Sequence, residues 1–173
     1  MLGLKGVAEP AKKGITIVNV EFVNPFISSF GHVMKQLGFS EVKNGALSVK
    51  GRQISCTGIV LVIGVLGNLK GNIVYVISYE DAKKIASTMM MGMPVDTLDD
   101  MAKSSLSELS NMLSANAATN LSSVGVLIDI STPTLLDGEE IGVTMSSDQV
   151  LCVQLLADGH VVEVNISFDK TSG

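Results

Sequence analysis

Glu108 and Asn111, three residues apart, are the side chains of this 173-residue chain best placed to act on another molecule. They fall in a stretch that opens at the Asp96 to Asp99 cap and reads as one long helix to about Ser122. With about 100° per residue and Leu106 at zero, Ala102, Leu109, Leu113 and Ala117 lie within about 40° of one direction. Ser104, Glu108, Asn111 and Ala115 fall at about 160°, 200°, 140° and 180°, opposite that apolar stripe. Apart from the acid and the amide this outward ridge is small: Ser104, Ala115, Ala118 and Ser122. A smooth ridge with one carboxylate and one carboxamide suits a cleft in another protein. The same spacing occurs on ordinary solvated helix faces, and Glu-x-x-Asn by itself does not choose between the two.

The elements around that helix follow from periodicity. Phe22, Phe26, Phe30, Val33 and Leu37 recur at helical spacing and predict a helix over residues 21–37, stopped by Gly38. Strand signals cover residues 41–49, 54–66 and 71–79; the first contains Asn44-Gly45, a hairpin cue. Ser78 to Asp81 reads as a capping box opening a short helix to about Met91. The methionines Met89, Met90, Met91 and Met93 read as adaptable core at its end, with a promiscuous binding surface as the alternative. After the long helix come strands over 124–131, 141–146, 150–157 and 160–168, the last two joined by an Asp158-Gly159 turn. In the final segment Val162, Val164, Ile166 and Phe168 alternate with Glu163, Asn165 and Ser167, the pattern of a strand with one wet face.

Helix then strands occurs twice. Ile77-Ser78-Tyr79-Glu80 is echoed by Ile166-Ser167-Phe168-Asp169, 89 positions later (166 − 77), and Glu21-x-x-Asn24 by Glu108-x-x-Asn111, 87 later (108 − 21). Two near-equal offsets of about half the chain indicate an internal duplication. The expected fold is α+β (α/β): a largely antiparallel sheet in two similar helix–β–β–β halves, with two long helices lying together on it. Residues 1–14 read as a flexible arm and 15–173 as a single domain.

Composition removes several functions. The net charge is −5 and aromatics are 4 %, which argues against nucleic acid as a partner. The strongest apolar run, Gly58 to Leu66, is short of the ~18 residues of a membrane span, and the first 14 residues lack a signal-peptide core. These features, with Cys56 and Cys152 in apolar runs as inert thiols, predict a reducing cytoplasm. The triplets at Asn120 and Asn165 that match glycosylation acceptors are then coincidental. There is no Cys-x5-Arg loop, no Gly-rich phosphate loop ending in Gly-Lys-Ser/Thr, and no His or carboxylate set at metal-site spacing. His32 and His160 read as surface residues.

Ser104, three residues, Glu108, two residues, Asn111, twenty-one residues, Pro133 is a longer pattern, and it resembles the signature of the CheC, CheX and FliY phosphatases of bacterial chemotaxis. The flanks Glu108-Leu-Ser-Asn111-Met112 and Ile130-Ser-Thr-Pro133-Thr134 are similar to that family too. So are residues 62–67, 71–75 and 89–93, so the resemblance spans about residues 17–168. Ala115 stands where the family often has Gly. CheC carries one such site per half. Here the first-half copy has Ile17 in place of Asp or Ser and Ala46 in place of Pro, and Pro25 after Asn24 suggests that Asn24 caps the first helix. One intact site and one relic is the CheX arrangement.

The resemblance implies hydrolysis of the phospho-aspartate of a CheY-type response regulator. The regulator brings its own Mg²⁺ and Lys to neutralise phosphoryl oxygens, so this chain needs no cofactor of its own. Asn111 is then expected to orient the attacking water and Glu108 to dock the regulator's active-site Lys. Ser104, Met112 and Ala115 are expected to line the ridge that touches the partner, and Pro133 to end a strand, since it cannot donate to a ladder. The family also implies a homodimer joined through sheet edges, and the 160–168 strand is the expected edge. Two readings without catalysis stand beside this one. A CheC-like adaptor would bind a phosphorylated regulator or a CheD-like partner. A flagellar-switch scaffold of the FliY kind would need a further domain, which the five residues after Phe168 do not supply.

Overall fold

A computed structural model describes residues 20–170. The elements in chain order are α1 (Val20–Gln36), β1 (Val42–Lys50), β2 (Gln53–Gly67), β3 (Leu69–Ile77) and α2 (Tyr79–Met89), then α3 (Asp100–Ser122), β4 (Ile128–Ile130), β5 (Thr134–Thr144), β6 (Val150–Ala157) and β7 (His160–Lys170). The boundary expected after residue 14 and the position of Ile17 lie outside the described residues.

All strand pairs are antiparallel and the sheet runs β1-β6-β7-β3-β2, with β4 and β5 both along the outer side of β2. Exchanging β1, β2 and β3 for β5, β6 and β7 reverses that order onto itself, so a pseudo-two-fold axis through the β3–β7 pair relates the two halves. Tyr75 and Val164 oppose each other there, and they are 89 positions apart (164 − 75), the offset read from the sequence. Each half gives its first strand to the other half's edge: β1 pairs with β6, and β5 with β2. Neither half can close its sheet alone.

Alternate residues of the central strands, such as Leu61, Ile73, Val153 and Val164, join α1 and α3 in one main core. The helix stripe read on the wheel is the buried one: Ala102, Leu106, Leu109, Leu113 and Ala117 are at most 2 % exposed. Short polar side chains tie the layers together. Ser29 Oγ donates to the Leu113 carbonyl at 2.6 Å, linking α1 to α3, and Ser114 Oγ meets the buried Tyr75 hydroxyl at 2.9 Å, linking α3 to the sheet. Gly58 (φ +110°) takes up a register shift in β2, where any Cβ would strike the Ile77 carbonyl. Ile54, Cys56 and Val60 of β2 then meet Val74, Val143, Met145 and Val150 in a second, smaller core. Cys56 and Cys152 are both buried, and burial pushes the Cys152 thiol up to about 11.

Asn44-Gly45, expected to turn, does not. β1 runs through it with a bulge, Gly45 and Ala46 facing one residue between the pairs Asn44↔Leu155 and Leu47↔Val153. The strand expected over 124–131 shrinks to β4, and the one expected from residue 141 begins at Thr134. β7 is central rather than an edge, and its polar face is largely covered. Asn165 and Ser167 are fully buried; Ser167 is bonded by Ser146 and Ser147, while Glu163 holds Lys50 and Cys152. Asn24 is no cap, since the chain is already helical at Val20 and α1 carries Pro25 inside it. The methionine cluster divides: Met89 and Met90 pack on the core, whereas Met91 and Met93 are exposed. Ser78 caps α2 by accepting from the Asp81 amide, but the Asp81 carboxylate completes no box. It accepts instead from the Val161 amide and lies 3.1 Å from His160 Nδ1, so His160 is not a free surface residue, whereas His32 is exposed.

Candidate functional site

Asp99 opens α3 by accepting from the Ala102 amide at 2.9 Å, which fixes where each later residue points. The ridge predicted on the wheel faces outward: Ser104, Glu108 and Ala115 are exposed and Asn111 is half-buried. Asn111 borders a groove of ≈ 520 Å³ between α3 and the start of β5. One wall carries Asp100, Lys103, Ser104, Ser107, Glu108 and Asn111; the other carries Thr132, Pro133 and Leu135. Met112 and Ala115 do not line it; Met112 packs on the main core.

The far wall exists because of a bulge. Between the pairs Val65↔Ile130 and Val62↔Thr134, three residues (Ser131, Thr132, Pro133) face two of β2. Pro133 has no N–H to give the ladder, so the chain leaves β2 there and re-enters at Thr134. Ser131 closes the break: its amide donates to the Gly64 carbonyl at 2.9 Å, and its Oγ accepts from the Gly64 amide at 2.8 Å. Pro133 therefore does more than end a strand. It forms the wall facing α3, which gives its spacing from Asn111 in sequence a physical meaning. At the opposite edge of the sheet the β1 bulge is the counterpart, with Ala46 in place of Pro133, and Glu21 and Asn24 lie on the matching helix.

Glu108 makes no ion pair among the described residues, so its carboxylate is available to an outside cation. Lys103 is the cation lining the groove, and it is engaged by Asp137 at 3.0 Å. Tyr79 donates to the other oxygen of Asp137 at 2.9 Å. The hydrogen bond from Lys103, then that from Tyr79, holds the Asp137 carboxyl below the usual carboxylate range. Sequence alone does not single out Lys103, Asp137 or Tyr79. Pro133, Leu135 and Asp137 share one face at strand spacing, a signal lost when the strand is started at Ile141. Among the described residues no group of three or more His, Cys, Asp or Glu side chains could hold a metal, and no helix is long and apolar enough to cross a membrane.

Two interlocked helix–β–β–β halves with an acid–amide groove define a CheC-like fold. A CheC-like superfamily protein from Shewanella sp. PV-4 superposes with TM-score 0.77 at 25 % identity, over 87 % of this chain and 99 % of that one. The family model for the chemotaxis phosphatase CheX matches residues 59–156, which include both walls of the groove. The CheY-P phosphatase CheX of Thermotoga maritima is 32 % identical over 124 residues, 72 % of this chain and 80 % of that protein. This chain belongs to the CheX family of chemotaxis phosphatases. Borrelia burgdorferi CheX, solved in a CheX–CheY–BeF3–Mg²⁺ complex, is 25 % identical with TM-score 0.73, over 85 % of this chain and 97 % of that one.

Proposed function

We propose that this protein hydrolyses the phospho-aspartate of a CheY-type response regulator, with Asn111 orienting the water and Glu108 docking the regulator's active-site Lys. One observation carries the reading: Glu108 and Asn111 share an open groove faced by Pro133, and Glu108 has no cation of its own among the described residues. The water oxygen attacks phosphorus, the bond from phosphorus to the aspartyl oxygen breaks, and aspartate leaves as the carboxylate while inorganic phosphate carries away both water protons. The carboxamide oxygen of Asn111 accepts from the water while its NH₂ donates toward a phosphoryl oxygen. A loose transition state asks for little nucleophile activation, so a general base is dispensable. Mg²⁺ comes with the regulator, which neutralises the phosphoryl oxygens with it and with its Lys; Glu108 draws that Lys into register. Ser104 lines the groove beside them, and Ala115 keeps the ridge beyond Asn111 smooth.

Acting on such a partner, the protein works in the cytoplasm. A second copy of the chain is the other proposed partner, and with β7 central a pairing through sheet edges would use the outer edge of β1, β4 or β5. Light scattering giving a single-chain mass would reject that pairing. The test of activity is phosphate release from a panel of phosphorylated receiver domains with and without the protein. Faster release from at least one receiver is expected, and no acceleration with any CheY-type receiver overturns the reading.

A further inference from the structure

We infer that Lys103, Asp137 and Tyr79 form a positioning strap across the groove, setting the span between the Asn111 wall and the Pro133 wall and keeping Lys103 away from Glu108. Its consequence for turnover rests on the proposed function; its consequence for geometry does not.

The two walls have no common backbone ladder. Among the described residues, the Lys103–Asp137 pair is the one ion pair or hydrogen bond joining α3 to β4 or β5. It grips both sides of the groove at one end. Asn111 lies eight residues along the helix from Lys103, about 12 Å at 1.5 Å per residue. Pro133 lies four residues along the chain from Asp137, about 13 Å at 3.3 Å per residue. The arms match, so the strap fixes one end of the groove and the Asn111–Pro133 gap is set at the other. Tyr79 holds Asp137 Oδ1 while Lys103 holds Oδ2, which locks the carboxylate's orientation. Tyr79 itself is anchored at the first position of α2 by the Ser78 cap.

The strap has an electrostatic effect as well. Glu108 lies on the same wall as Lys103, and an unstrapped ammonium would have Glu108 and Asp100 as the anionic groups lining the groove. Asp137 takes that cation, so Glu108 meets a partner unneutralised.

Two substitutions separate these effects. Lys103→Met removes the strap and the cation together; it is expected to lower kcat about ten-fold with KM little changed, since a sub-ångström change in wall spacing acts on alignment. Asp137→Ala removes the strap but frees Lys103; it should lower kcat equally and also raise KM about three-fold, the scale of one exposed ion pair competing for Glu108. The charge swap of Lys103→Asp with Asp137→Lys rebuilds the ion pair without an acceptor for Tyr79, and should restore part of kcat. In the regulator-free protein, amide NMR shifts of Asn111 and Thr132 should move in both single variants and return in the swap. Unchanged shifts in the single variants, or a swap that restores neither shifts nor kcat, overturn the strap. If wild-type protein accelerates no receiver, the phosphatase reading fails while the NMR arm still decides the strap.

Discussion

Replacing Glu108 by Ala separates docking from stability. Glu108 is exposed and makes no ion pair among the described residues, so truncating it should leave the melting temperature within error of wild type. Its effect belongs to the complex. An ammonium about 4 Å from a carboxylate in an effective dielectric of about 20 attracts by about 4 kcal/mol. Glu108 must lose its water on docking, and removing that cost leaves about 2 kcal/mol, or about thirty-fold in Kd. Calorimetric titration of the regulator, held in its phosphorylated form by a non-hydrolysable acyl-phosphate mimic, measures this directly. The weakening should shrink as salt is raised, because part of the attraction is screened. Wild-type affinity in the Glu108→Ala variant would refute the pairing. A large loss of stability in the free protein would refute the geometric reasoning behind it.

Ser131→Ala should cost about 0.5–1 kcal/mol in urea unfolding, the net value of one solvent-accessible hydrogen bond to the Gly64 amide, and should slow turnover through the loosened Pro133 wall; unaltered stability would show that Ser131 does not close the bulge. The Lys50–Glu163 pair predicts a stability plateau with two edges. For Glu163, burial opposes ionisation, but bonds from Cys152 and Lys50 outweigh it and leave the carboxyl below the usual range. Its contribution is therefore present above the unfolded value near ~4.3 and is lost as pH falls through the depressed folded value. Lys50 is also opposed by burial, yet the bond to Glu163 raises it, so its share is present below ~10.4 and lost as pH rises through the raised folded value. Lys50→Met should flatten both edges in unfolding curves measured across pH, and curves identical to wild type would contradict the coupling.

Much of this was legible where the signal is local. The α3 stripe, its Asp99 cap and the outward ridge follow from helical period and capping alone. Asp158-Gly159 is a true hairpin, with both residues at positive φ and Ala157 paired to His160. Asn44-Gly45 carries the same local signal and fails, because β1 pairs with β6, more than a hundred residues further along the chain, and nothing near Asn44 records that partner. The covered polar face of β7 was hidden for a similar reason: the hydroxyls of Ser146 and Ser147 that satisfy Ser167 come from the β5–β6 turn. The second wall of the groove was masked by composition. Pro133, Gly138 and the acids at 137, 139 and 140 break the apolar alternation of β5, so a strand that supplies Leu135 and Asp137 reads as loop. Pro133 itself was legible as part of a spacing, and only the bulge explains the spacing.

The most direct measurement of the central claim is single-turnover decay of a phosphorylated CheY-type receiver domain with Asn111→Ala at saturating concentration. Loss of one preorganised polar group aimed at the transition state should slow decay by about 10²–10³ while the Kd for the regulator stays near wild type. Decay at the wild-type rate would contradict the account, because the water would then need no carboxamide to hold it in line.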